Sequence, residues 1–428
     1  MTILIKNGRL IDPGNNIDGV YDILTEGAKI SRVAKKISGS ADNMIDASGK
    51  IVMPGIVDMH VHLREPGRED KETIATGTRA ALKGGVTSLL AMPNTQPAID
   101  CAENIKGLKR IIDKSAAVNV LICAAITIGR NGKELSGIAR LKKEGVSAIS
   151  DDGASVDDEQ LMSEAMKIAA REGLLVISHC EDKALAAGGV VNLGAISTML
   201  GLRGISRESE YRRVERDLRL AKKSRARLHI AHVSCKQSVE LIARAKAEGV
   251  KVTAEAAPHH LLLTEDELLG FDTNLKMNPP LRSREDRDAL KEGLINGVID
   301  VIASDHAPHT ENEKAIEFER AEFGVIGLET ELAATITGLL KSGSMDWPLL
   351  AAKLSLNPSK ILGIDKGALG VGMDADIIVI SADTEWAVEK DGFVSKSKNS
   401  AFLGKRLSGV VEYTIVNGNL AYRNPGHA

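Results

Sequence analysis

Asp58-Met59-His60-Val61-His62-Leu63-Arg64 follows Ile51-Val52-Met53-Pro54-Gly55-Ile56-Val57, an apolar run rich in β-branched residues. Such a run reads as a buried strand. Side chains alternate along a strand, so His60 and His62 share one face at its end, with Asp58 one step before them. Two imidazoles converging on one point suit zinc or another first-row divalent cation. The alternative is a pair of hydrogen-bonded histidines at a barrel mouth.

From about residue 51 to 365, short apolar runs alternate with helical periodicity. Runs ending near Met92, Thr127, Ser150, Ser178, Val233, Glu255 and Ser304, with the one before His60, make eight. The intervening segments carry helix signals: Leu161, Ala165 and Ile168 follow Asp157-Asp158 and precede Gly173, and Val239, Ile242 and Ala245 lie between Ser234 and Gly249. Gly84-Gly85 closes a helix and is not a phosphate loop, which disfavours a doubly wound sheet. Eight strand-helix units predict a (β/α)8 TIM-type barrel over residues 51–365. The flanks read as strands. Asn7-Gly8 signals a hairpin near the start, and Asp376–Ile380 and Val411, Tyr413 and Ile415 lead to Asn417-Gly418 at the far end. Residues 1–50 and 366–428 are each too short to bury a core, which predicts one small β-rich domain assembled from both ends. The alternative is two separate decorations of the barrel.

With 55 basic and 58 acidic residues among 428, the net charge of -3 gives no reason to expect nucleic acid or an anionic membrane as partner. Aromatics at 3% are too scarce for a base-stacking platform, and a small-molecule substrate is the better expectation. Cys101, Cys123, Cys180 and Cys235 show no paired spacing, which fits a reducing cytoplasm. Neither a signal-peptide pattern at the start nor an apolar stretch of about 18 residues is present, so export and membrane insertion are disfavoured.

Active sites of such barrels sit at the C-terminal strand ends. There stand Asp151-Asp152-Gly153 after strand four, His179 after five, His232 after six and Asp305-His306-Ala307-Pro308-His309 after eight. Each alone has a bland reading as a turn, a cap or a satisfied core residue. With His60 and His62 these stretches put six histidines and three aspartates on one rim, and four of the histidines with two of the aspartates are a set suited to two cations with one bridging carboxylate. His229, three residues before His232, reads as structural. His259 and His260 lack a partner at ligand spacing, and His306 reads as a cap.

At this point the chain resembles the cyclic amidohydrolases, and among them the class I bacterial-type dihydroorotases. The resemblance spans nearly the whole length. It is carried by Asp58 to Gly67, Gly84-Gly85-Val86-Thr87, Met92-Pro93-Asn94-Thr95, Ser150 to Gly153, Ser178 to Glu181, His232-Val233-Ser234, Thr253-Ala254-Glu255, Met277 to Arg282 and Ser304 to His309. It implies that His60 and His62 hold one zinc ion, completed by Asp305, and that His179 and His232 hold a second. Asp152 bridges them and Asp305 is the general base. It further implies that Arg64, Asn94 and His309 take a substrate carboxylate, and that Asn278 and the Phe323-Gly324 backbone contact the ring amides. The implied reaction is reversible cyclisation of N-carbamoyl-L-aspartate to L-dihydroorotate in pyrimidine synthesis. The implied assembly is a homodimer or a complex with aspartate carbamoyltransferase.

Hydantoinases, dihydropyrimidinases and allantoinases resemble this pattern but bridge their metals with a carbamylated lysine on strand four. Val146–Ser150 contains no lysine, and Lys142 and Lys143 fall on the preceding helix. A non-catalytic relative serving as a carbamoyltransferase subunit would have lost ligands, whereas all six positions are filled here. Thr310 to Glu322, highly charged and without an apolar stripe, reads as a mobile lid; an ordinary surface helix and loop is the alternative. Family members commonly carry proline where this chain has Glu322.

Overall fold

The computed structural model describes residues 1–427. Among them, eight parallel strands run in chain order through one sheet: Ile56–Val61, Val86–Ala91, Asn119–Ala124, Ala148–Ile149, Leu175–Ser178, Arg227–Ile230, Val252–Ala256 and Val301–Ile302. The sheet closes on itself. A bridge pairs Val61 with His306, and the His62 N–H donates to the His306 carbonyl at 2.8 Å. This is the expected (β/α)8 barrel.

A second sheet of eight strands combines both chain ends: Thr2–Asp12, Ile17–Glu26, Lys29–Ala34, Asn43–Asp46, Ile51–Pro54, Ile377–Ala387, Arg406–Val416 and Asn419–Arg423. Ile51–Pro54 pairs with Ile377–Ile380 in this sheet, so the apolar run that opens the barrel is two strands broken at Gly55. A side chain at Gly55 would collide with the Thr87 side chain, which is why the chain crosses between sheets there on a glycine. Its own core includes Ile3, Ile5, Leu10, Ile23, Val52, Ile377 and Ile415.

Local signals were partly overruled by tertiary contacts. Asn417-Gly418 forms the two-residue hairpin turn, with φ of 49° and 72°. Asn7-Gly8 does not. Thr2–Asp12 runs on as one strand with a bulge, because Asp22 Oδ1 accepts the Asn7 N–H at 2.9 Å and Gly8 lies against Val52. The helix Glu159–Glu172 is capped by Asp158 and ends at Gly173, but it buries Met162, Ala165, Met166 and Ala169, a stripe turned slightly from the expected one. The helix Lys236–Ala247 starts after Cys235. Ser234 hydrogen-bonds Glu210 instead of capping it.

Candidate metal centre and active site

The strand ends place all six expected ligand side chains at one point, each buried. Asp152 lies between two groups: Oδ2 is 3.2 Å from His60 Nε2 and 3.4 Å from His62 Nε2, while Oδ1 is 3.5 Å from His179 Nδ1 and 3.4 Å from His232 Nε2. Asp305 Oδ1 stands 3.6 Å and 3.5 Å from His60 and His62 Nε2. Two sets of three ligand atoms within reach of one ion emerge, His60-His62-Asp305 and His60-Asp152-His232. His60 Nε2 and Asp152 Oδ1 are buried without a hydrogen-bond partner, at a cost of about 1–3 kcal/mol each. A divalent cation among them removes that cost, so the residues present fit the metal the pattern calls for.

Outer partners aim the imidazoles. Glu255 Oε1 is 2.5 Å from His60 Nδ1 and accepts the His232 N–H at 3.2 Å, while Oε2 is 3.0 Å from His229 Nε2. A carboxylate on Nδ1 leaves the His60 Nε2 lone pair for a cation. Asn94 Oδ1 does the same for His62, 2.7 Å from its Nδ1. His229 meets Thr253 Oγ1 at Nδ1 and Glu255 at Nε2, and so anchors the carboxylate that faces His60. Sequence reasoning gave Glu255 no role. The available signal was a charged residue in the buried strand Val252–Ala256. Arg64, His232 and Asp305 have φ of 62°, 32° and 47°, a left-handed strain of about 1–3 kcal/mol each that the surrounding contacts maintain.

Beside the ligands opens a cavity of about 390 Å³ lined by Arg64, Asn94, Asn278, His309, Phe323 and Gly324, and also by Lys71, Arg130 and Glu322. Arg64 does not pair with its acidic neighbours: Asp70 is taken by Arg68, and Glu65 Oε2 accepts the Ile74 N–H. Its Nε donates to the Pro308 carbonyl at 3.1 Å, which leaves guanidinium hydrogens for a ligand. Burial lowers its pKa only to about 10, so it stays charged at neutral pH. Asn278 Nδ2 donates to Glu181 Oε1 at 2.9 Å. Asp151 turns away from the cavity, its carboxylate accepting from the backbone N–H groups of Ile126 and Thr127 and from the Thr127 hydroxyl. The His306 ring lies 3.2 Å from the Gly327 N–H, and His260 Nε2 is 2.8 Å from the Pro279 carbonyl.

Residues 310–322 lie docked on the barrel mouth. Lys314 Nζ donates to the carbonyls of Glu322 and Gly324 at 2.8 and 3.1 Å, Lys276 Nζ to those of Phe318 and Glu319 at 2.8 and 2.9 Å, and Glu313 binds Arg68 at 2.7 Å. Buried ammonium groups on carbonyl oxygens, with buried Phe318, hold what an apolar stripe does not.

The family description "Dihydro-orotase-like" matches residues 49–238. A Dihydroorotase of Elusimicrobium minutum (strain Pei191) is 53% identical over 424 residues, covering 99% of this chain and 98% of that protein. Another, of Thermoanaerobacter sp. (strain X514), is 48% identical over 423 residues, with 99% and 98% covered. Among solved structures, the L-hydantoinase (dihydropyrimidinase) from Arthrobacter aurescens aligns with a TM-score of 0.89 at 27% identity, covering 98% of this chain and 95% of that one.

Proposed function

This chain belongs to the dihydroorotase family, and from that premise we infer that it is a cyclic amide hydrolase interconverting N-carbamoyl-L-aspartate and L-dihydroorotate in pyrimidine biosynthesis. The observation that carries the reading to the site is Asp152, whose two oxygens face two separate histidine pairs within 3.5 Å. No lysine is available on strand four to take that bridging place. Purified protein assayed with dihydroorotate, hydantoin and allantoin, with bound metal measured in parallel, tests the assignment. Turnover of hydantoin in preference to dihydroorotate counts against it.

In the finer reading, His60, His62 and Asp305 would hold one zinc ion and His179 and His232 a second, with Asp152 serving both, in the manner of the class I branch. When bound, such ions supply Lewis acidity, polarising a carbonyl and making water a stronger acid. The remaining work falls to side chains. In ring opening, Asp305 accepts a proton from water and delivers it to the departing ring nitrogen. In closure it takes the carbamoyl N–H proton and returns it to the oxygen that leaves as water. Arg64, Asn94 and His309 bind the carboxylate outside the reacting bond, while Asn278 and the Phe323-Gly324 backbone bind the ring amides. The four free cysteines and the biosynthetic reaction support a cytoplasmic setting. Among the described residues no helix is long and apolar enough to cross a membrane. The family resemblance supports a homodimer or a complex with aspartate carbamoyltransferase, which sedimentation with and without that partner tests.

Four imidazoles must be neutral to hold the cations. Metal content and turnover are therefore expected to fall together below about pH 6. Equilibrium dialysis measures this, and full retention at about pH 5 counts against the ligand set. Arg64→Lys keeps the charge but loses the fork. We expect kcat/KM to drop about ten- to a hundredfold with metal content unchanged. Kinetics near those of the parent in both directions would remove Arg64 from the site.

A further inference from the structure

Lys71 is a buried cation, 5% exposed, on the wall of the same cavity, and the reaction as described gives it nothing to do. Its Nζ stands 3.0 Å from His309 Nδ1 and 3.0 Å from Glu313 Oε1. On the other side of the ring, His309 Nε2 lies 2.8 Å from the Phe323 carbonyl oxygen and 3.3 Å from Arg64 Nη2. Glu313 Oε2 is 3.5 Å from Nδ1. Each ring nitrogen therefore faces one cation, which can only donate, and one oxygen, which can only accept. On each side the shorter contact decides. The ammonium needs a lone pair on Nδ1, the carbonyl needs a proton on Nε2, and both needs are met by the same neutral tautomer. Burial, and after it the charges of Arg64, Lys71 and Lys314, oppose the imidazolium and hold the His309 pKa well below its ordinary value.

We propose that Lys71 is a positioning residue: by donating to His309 Nδ1 it holds that ring as the Nε2–H tautomer, so that Nε2 carries a hydrogen, donated to the Phe323 carbonyl at rest and shared with the substrate carboxylate beside Arg64 on binding, and not a lone pair. This rests on the reading that Arg64 and His309 receive that carboxylate. Without the ammonium, Glu313 Oε2 draws the ring proton to Nδ1. The Nε2 lone pair then faces the Phe323 carbonyl and the incoming carboxylate, acceptor against acceptor.

The test is 15N NMR of the metal-loaded full chain labelled at histidine, without substrate, the His309 signals being assigned by their loss in His309→Asn. We expect an unprotonated Nδ1 and a protonated Nε2 in the parent and in Lys71→Arg, and a mixed or inverted pattern in Lys71→Met. In Lys71→Met, kcat/KM for dihydroorotate is expected to fall about tenfold, carried by KM. A protonated Nδ1 in the parent overturns the proposal, and so does an unchanged tautomer in Lys71→Met. Should Lys71→Met fail to fold, the parent and Lys71→Arg spectra decide. Because the spectra are taken without substrate, their outcome is separate from the Arg64→Lys kinetics, which test the carboxylate reading itself.

Discussion

Asp305→Asn is expected to lower kcat by about 10² to 10⁴, the range that a positioned general acid-base supplies. Asparagine is the informative replacement. It tolerates the left-handed backbone at this position, φ 47°, and keeps one oxygen for the ligand place 3.5 Å from His62, but it cannot carry the proton. The control is Asp151→Ala. That carboxylate accepts from Ile126 N at 2.8 Å, from Thr127 N at 3.0 Å and from the Thr127 hydroxyl, so its removal loosens the loop after strand three. Hydrogen bonds to a charged group contribute roughly 1.5–3 kcal/mol each, and Asp151→Ala should therefore show a lowered Tm with little change in kcat per folded, metallated molecule. If Asp151→Ala lost turnover while folded and metallated and Asp305→Asn did not, the acid-base role and the bridging role would both be misplaced.

Glu255→Ala is expected to weaken metal binding by about ten- to a hundredfold and to destabilise the fold by about 3–5 kcal/mol. The carboxylate is 1% exposed and shared between His60 Nδ1 at 2.5 Å and His229 Nε2 at 3.0 Å, so its loss takes the partner from one nitrogen of each of two buried imidazoles. Burial opposes its ionisation, but His60 and His229 outweigh that and hold its pKa below the usual carboxylate range. A depressed pKa in the folded state means that this contribution is present above the ordinary carboxylate pKa and is lost as pH falls through the depressed one. Glu255→Gln, which keeps the shape and one acceptor, should fall between. Competition with a chelator gives the affinity and urea unfolding the stability. A folded Glu255→Ala with parental metal affinity would show that His60 needs no outer carboxylate.

The sequence was strong where chemistry depends on counting. A barrel with parallel strands puts every C-terminal strand end on one rim, so the stretches that hold His60, His62, Asp152, His179, His232 and Asp305 could be brought together from strand number, while the choice of Asp152 over Asp151 came from the family resemblance. Alternation put the first two on one face, and the absence of lysine from strand four was visible without any coordinates. Helix stops at Gly85 and Gly173 and the hairpin at Asn417-Gly418 were likewise local, because each depends on the backbone freedom of the residue itself.

What only the tertiary structure decided is whatever depends on a partner distant in the chain. Asn7-Gly8 became a bulge because Asp22 captures its N–H, and Ser234 left its cap for Glu210. The charged segment after His309 docks through lysines that seek carbonyl oxygens, a choice that composition does not reveal. Glu255 lies 195 positions from the His60 it orients, and Lys71 lies 238 from His309. Periodicity reports which face a side chain takes, since that follows from its own strand or helix. Which acceptor or donor it meets there follows from how the elements close around it, and in a buried site the free energy of a polar group is decided by that partner.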